Sequence, residues 1–362
     1  MHHASAPRFA VLIRACLFAA TWLAVPSAGR ADLVYVLSKT TGGLYSFDSG
    51  NPAVITSVAA PGTFNQPTAL ALGEDGDLYV GESPEAVDGD PRILRYVIGS
   101  GSISEVVNLS GTAAGYAGPA VYPGAIAFRR AGDGGEMLVG RNPDSANPYG
   151  PVMAVSGWKT VAPSVAAFTS GTLNASPGLA VSPDTGNLFV SNDTYGGTNA
   201  PILGTIAVFS GTSNPATFLE SFTTVGPYSG PIGLVVSGST LYSANAVTNQ
   251  IMATDLLGSG TSWQVVQVPL FAGQYPYEVG ALARLSNGDL LTGSLLAFSG
   301  QMYRVSVANS TATPLYAPGS SGFGQIAGIV TMVVPEPTTL AIAVSGLAAA
   351  AAWRRRRRRT VA

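Results

Sequence analysis

Apolar and polar positions in the middle of this chain alternate in short runs, and the runs come in pairs folded about a polar turn. PTALALGEDGDLYVGES begins at Pro67, PGAIAFRRAGDGGEMLVGRN at Pro123 and PGLAVSPDTGNLFVSND at Pro177. PIGLVVSGSTLYSANA begins at Pro231 and GALARLSNGDLLTGSL at Gly280. Period-2 alternation around Gly with Asp or Asn predicts a β-hairpin in each. The equivalent apolar positions Leu70, Ile126, Leu179, Leu234, Leu282 and Ile329 are separated by 56, 53, 55, 48 and 47 residues. That interval is the length of one four-stranded propeller blade.

The remaining strands fall between the hairpins. Arg92 to Ile98 and Ile103 to Leu109 follow the first, Thr205 to Ser210 and Thr217 to Thr223 the third. Gln250 to Thr254 and Ser262 to Val268 follow the fourth, Gln301 to Val307 and Thr311 to Tyr316 the fifth. The second hairpin has Val152 to Ser156 and Val165 to Thr169 as its candidates. Gly324 to Val333 reads as one more innermost strand, which Pro335 ends before a second can form. Asp32 to Ser38, Gly43 to Asp48 and Ala53 to Ala59 match strands two to four of a blade. The two ends of the chain are therefore expected to share a closing blade, which removes exposed edges. The expectation is an all-β propeller of six blades, or seven if Asn142 to Gly171 holds further strands. A β-sandwich would not repeat a hairpin at this interval.

Composition changes the picture at the ends. Arg8 and Arg14, the apolar run Ala15 to Val25 and the small residues of Gly29-Arg30-Ala31 form a secretory signal peptide, with the cut expected after Ala31. Cys16 lies inside the apolar run with Arg14 two positions before it, which argues against lipidation. His2, His3 and Cys16 are the only His and Cys in the chain, and all three precede the cut. A mature protein without imidazole or thiol excludes a Ser-His-Asp triad, a Cys nucleophile, a His-bound zinc and disulfides. All 20 acids lie between Asp32 and Glu336 against 9 basic residues there, a net charge near −11. That balance argues against nucleic acid as a partner.

The C-terminus has three ordered parts: Val334-Pro335-Glu336-Pro337, the charge-free run Thr338 to Trp353, and Arg354, Arg355, Arg356, Arg357, Arg358 and Arg359. A helix over the apolar run would rise about 24 Å, short of a hydrocarbon core of about 30 Å. Trp353 would sit at the interface and the arginines on the cytoplasmic side. Together these parts resemble the PEP-CTERM protein-sorting signal of Gram-negative bacteria. The resemblance implies export through the inner membrane and recognition by exosortase, a membrane-embedded cysteine transpeptidase that cleaves near the Pro-Glu-Pro motif. The alternative is a simple C-terminal membrane anchor. The expected organisation is a signal peptide over 1–31, a propeller over 32–333 and a sorting tail over 334–362. The mature protein would be periplasmic, on the cell surface or extracellular.

The hairpins also resemble those of NHL, lactonase-like and gluconolactonase-like propellers, with LAVSPDTGNLFVSN from Leu179 to Asn192 the nearest string. In gluconolactonase-like enzymes, channel Glu, Asn and Asp residues hold a divalent cation. Here second strands end at Glu82, Asn142, Asn192, Asp193, Asn245 and Ser294. Glu82, Asn192 and Asn245 are the weak candidates for such a site and would suit calcium or magnesium. The acid those enzymes carry at the start of the first inner strand is absent. Arg141 and Ser294 occupy comparable levels elsewhere. The competing reading is that Asn and Asp end strands because they bond neighbouring backbone.

Asp75-Gly76-Asp77, Asp184 to Asn187 and Asn287-Gly288-Asp289 recur at one place in the hairpins, as turns do, and lack the spacing of a calcium loop. Glu82, Glu85, Asp88 and Asp90 make one connecting loop acidic. Tyr116, Tyr122, Tyr149, Tyr195, Tyr228, Tyr275 and Tyr277 cluster near the inner hairpins, where rings could stack on sugars or cap the fold. Two functions follow from these readings. One is a non-catalytic propeller that binds a polysaccharide or a protein, needs no cofactor and has exosortase and the secretion machinery as partners. The other is a divalent-metal-dependent, lactonase-like hydrolase.

Overall fold

The computed structural model describes residues 31–334, apart from 85–88, 112–118, 130–134, 143–149, 161, 170–172, 174–175, 193–203, 214, 224–229, 247, 258–260, 270–278, 295–299 and 318. The signal segment and the tail helix expected from the sequence lie outside these residues. Among the described residues no helix is long and apolar enough to cross a membrane. Residues Asp32 to Val333 form one compact unit.

That unit holds twenty-four strands in six four-stranded antiparallel sheets, the six blades of a β-propeller. Blade 1 is β4 (Pro67–Leu72), β5 (Leu78–Glu82), β6 (Arg92–Tyr96) and β7 (Ile103–Asn108). Blade 2 is β8 (Pro123–Arg129), β9 (Glu136–Arg141), β10 (Met153–Ser156) and β11 (Ser164–Ala167). Blade 3 is β12 (Leu179–Val181), β13 (Leu188–Asn192), β14 (Thr205–Phe209) and β15 (Phe218–Thr223). Blade 4 is β16 (Pro231–Ser237), β17 (Thr240–Asn245), β18 (Gln250–Asp255) and β19 (Ser262–Gln267). Blade 5 is β20 (Ala281–Arg284), β21 (Leu290–Gly293), β22 (Met302–Ser306) and β23 (Thr311–Tyr316). The closing blade orders β24 (Ile326–Val333), β1 (Asp32–Ser38), β2 (Leu44–Asp48) and β3 (Asn51–Ala59).

Six is thus the blade count. The described part of Asn142 to Gly171 contributes only β10 and β11, which complete blade 2. Closure joins the ends as expected: Asp32 faces Val333 and Val36 faces Ile329 along the β1–β24 ladder.

The turns of the inner hairpins are built by their own side chains. Gly76, Gly186, Gly238 and Gly288 have φ of 81°, 71°, 55° and 92°, a region only glycine enters at little cost. Asp75 Oδ1 accepts from the Asp77 N–H at 3.3 Å and Asn287 Oδ1 from that of Asp289 at 3.1 Å. Asp75 and Asn287 thus spend a side-chain oxygen on the turn, while Asp77 and Asp289 direct theirs to Arg95 and Arg304.

Each seam between neighbouring blades holds its own cluster of buried apolar residues. Ala69, Tyr79, Ile93 and Val107 of blade 1 pack with Met137, Val139, Met153 and Val155 of blade 2. Tyr79 meets the rings of Phe128 and Trp158, each at 5.1 Å between centroids. Each fully buried aliphatic side chain contributes about 1.5–3 kcal/mol, so the strength of the ring lies in these inter-blade layers. Glycine permits the tightest contacts. A Cβ on Gly178 would lie 2.0 Å from the carbonyl oxygen of Ile232, and one on Gly233 would lie 2.2 Å from that of Gly280.

Candidate functional site

Inner strands start, and second strands end, on one face of the propeller. Pro67 pairs with Glu82, Pro123 with Arg141 and Pro231 with Asn245. The same bulge follows each proline, leaving Thr68, Gly124 and Ile232 outside the ladder. On this face the second strands end at Ser38, Glu82, Arg141, Asn192 and Asn245, and blade 5 places Ser294 one position beyond the end of β21, one polar residue per blade. All are buried except Asn192, which is half-buried.

The ring differs from the sequence reading at two points. The strand-end residue of blade 2 is Arg141, with Asn142 one position beyond it, and the closing blade adds Ser38. The match between Asp32–Ser38 and the other second strands carried the signal for Ser38. Asp193 and six of the seven loop tyrosines, all but Tyr122, lie outside the described residues, as do Glu85 and Asp88.

Most of these side chains are hydrogen-bonded to the loop that precedes the inner strand. Glu82 is 1% exposed. Its Oε1 accepts the Asn65 N–H at 2.7 Å and its Oε2 the Arg92 Nε–H at 2.7 Å. This grip raises the pKa of the Arg92 guanidinium above its already high value, through the hydrogen bond first. The grip also holds a strained corner: Gln66 sits at φ 45° and its carbonyl accepts from Ser83 N–H at 3.2 Å. Asn245 Oδ1 accepts from Gly230 N–H at 3.1 Å. The Ser38 hydroxyl donates to the Phe323 carbonyl. Backbone bonds from Lys39 to Gln325, Asn142 to Tyr122 and Ala246 to Gly230 repeat the tie from blade to blade.

Arg141 enters the ring because glycine makes room. A Cβ on Gly150 would lie 2.7 Å from its Nε, and the guanidinium instead reaches the Ala120 carbonyl at 3.4 Å. Asn192 Nδ2 donates to Thr205 Oγ1 at 3.2 Å. Glu82, Asn192 and Asn245 thus stand in three different blades, each bonded within its own blade or the loop before it. Among the described residues no three His, Cys, Asp or Glu side chains are grouped as a metal site would need.

The other face carries ion pairs at the head of the second strands. Arg95 meets Asp77 through Nε at 2.8 Å, Arg304 meets Asp289 through Nε at 2.8 Å and Arg129 meets Glu136 through Nε at 3.1 Å.

Fold and ring define a six-bladed β-propeller. Residues 333–358 match the PEP-CTERM protein-sorting motif. The motif marks an exported protein, recognised by exosortase and sorted toward the cell surface of a Gram-negative bacterium. No curated protein sequence matches the chain. Among solved structures, a chain of a nidogen/laminin complex aligns with a TM-score of 0.59 at 13% identity, covering 84% of this chain and 98% of that one. TolB from Acinetobacter baumannii aligns at 0.55 with 12% identity, over 88% of this chain and 71% of its own. A Bacteroides fragilis protein described as a 6-phosphogluconolactonase aligns at 0.50 with 11% identity, over 85% of this chain and 99% of its own. At such identities the likeness is one of fold.

Proposed function

We propose that this protein is an exported, exosortase-sorted propeller that acts by binding, without catalysis, a polysaccharide or a protein at the cell surface or in the extracellular matrix. Val334, Pro335, Glu336 and Pro337 are the sorting motif, and Arg354 to Arg359 hold the tail on the cytoplasmic side until processing. The observation that carries the binding reading is the use made of the strand-end ring. Both carboxylate oxygens of Glu82 are already bonded, to Asn65 and to Arg92, and the amide oxygen of Asn245 is taken by Gly230. Arg141 adds a buried cation to the same face, which opposes a metal ion there. Residues so engaged shape connecting loops, and such loops are where a rigid scaffold presents its binding surface.

Two measurements test the proposal. The mature protein is weighed by mass spectrometry from cells with and without exosortase. A C-terminus near Pro335–Pro337 only in the presence of the enzyme is expected, and an intact Arg354–Arg359 tail in both would overturn sorting. The purified protein is then assayed with lactones in calcium or magnesium and for retention on extracellular polysaccharide and matrix protein from the producing cells. Retention without hydrolysis is expected. Metal-dependent turnover lost in Glu82→Gln would replace binding by the hydrolase reading.

A further inference from the structure

Asp32, the first residue of the compact unit, is 1% exposed and held on several sides. Its N–H donates to Ser49 Oγ at 2.8 Å, and its carbonyl accepts from Ser49 N–H at 2.8 Å. Its Oδ2 accepts from the N–H of Ser286 at 2.7 Å and from that residue's hydroxyl at 3.1 Å. Its Oδ1 is buried and has no hydrogen-bond partner among the described residues. A buried carboxylate in this condition is costly unless a cation or further donor reaches it.

The other blades show what is missing. Asp32 opens its second strand as Glu136 does, Asp77 and Asp289 stand just before theirs, and each of those three acids has an arginine: Arg129, Arg95 and Arg304. Arg95 and Arg304 reach their acids from the third strand, opposite Tyr79 and Leu291, two residues past the acid. The same register in the closing blade sets Val34 opposite Phe47. Among the described residues no arginine or lysine pairs with Asp32.

We infer that the missing cation is the chain's own α-ammonium, created when the signal peptide is cut between Ala31 and Asp32. The inference rests on the export reading. In the precursor the Asp32 nitrogen is an amide with one hydrogen, already given to Ser49. Hydrolysis of the Ala31–Asp32 bond adds water across it: the Ala31 carboxylate leaves with the signal peptide, and Asp32 gains a positively charged amine with three hydrogens. The α-nitrogen and the side-chain carboxyl are attached to neighbouring carbons, so the new donors can reach Oδ1 without moving the strand. One hydrogen keeps the bond to Ser49 Oγ, and a second satisfies the carboxylate. Asp32 faces Val333 at the end of the β1–β24 ladder, and its carboxylate holds Ser286 of the blade 5 hairpin turn, so maturation relieves an unpaired buried charge where the closing blade meets blade 5 and thereby locks that junction. A secreted chain is thereby more firmly closed than its precursor, after it has left the translocation machinery.

The test uses full-length protein exported and matured in cells, with its N-terminal mass determined first. A second chain carries two serines inserted after Ala31, so that the same cut leaves the ammonium two residues away. The extended chain should melt roughly 2–5 °C lower, as expected for loss of one charge-assisted hydrogen bond in a domain of this size. Amide exchange at Leu33 and Met332 should quicken with it. In an Asp32→Asn background the extension should make no difference. Equal melting of the two parent chains, or a difference that survives Asp32→Asn, would overturn the lock. So would a mature N-terminus other than Asp32, and that result, read from the mass alone, separates a misplaced cut from failure of sorting or binding.

Discussion

Glu82 decides between two readings of the same face. Its carboxylate is a structural acceptor, and Glu82→Gln gives Arg92 an amide of ambiguous polarity in a buried site. The substitution should cost about 1–3 kcal/mol in urea unfolding, with no change in any divalent-ion binding. Loss of ion binding without loss of stability would reverse the reading. Tyr316 makes a different point. Burial pushes its phenol up to about 12, and the hydroxyl donates to the Pro52 carbonyl. The folded state thus holds this proton more tightly than an unfolded chain, whose tyrosine titrates near pH 10. The stability it contributes is fully present below about pH 10 and is lost as pH rises through about 12. A Tyr316→Phe protein should show a shallower fall in melting temperature over that window. These residue-scale facts were only partly legible. Glu82 stands out in the sequence as a strand-end acid, but nothing local to GESPE reveals that Asn65 and Arg92 consume it.

At the scale of elements, the hairpin pattern placed most strands within two residues of their observed ends. Thr311 to Tyr316 coincides with β23, and the loosely patterned Val152 to Ser156 and Val165 to Thr169 correspond to β10 and β11. Period-2 alternation is a local property of a strand buried on one face, so it survives in the sequence. The bulges after Pro67, Pro123 and Pro231 do not, because a bulge is settled by pairing with the partner strand. Neither does the need for glycine at 178. That residue lets two inner strands approach, and Gly178→Ala would drive a methyl group into the Ile232 carbonyl. A loss of about 3 kcal/mol is expected, measured as a lower denaturation midpoint, and an unchanged midpoint would mean the blades can slide apart at little cost.

Across the whole molecule, closure by both chain ends sets which truncations are tolerated. A chain stopped after Val333 retains every strand and should melt within a few degrees of the full ectodomain. One stopped after Gly324 lacks β24, leaves β1 unpaired on one side and opens the ring. It should lose its cooperative thermal transition and bind a hydrophobic dye, and a native-like melt from that chain would show that five whole blades suffice.

The sequence by itself determined the repeat, the shared blade and the sorting tail. Strand alternation, turn residues and a proline-bounded apolar run are all encoded among near neighbours in the chain. Tertiary structure alone decided the meaning of the polar residues. Asp32 and Ser286 meet across 254 positions, and Ser38 and Phe323 meet across 285. Whether a buried carboxylate is a ligand, a staple or half of an ion pair depends on what the fold carries to it, and that partner lies far away in sequence.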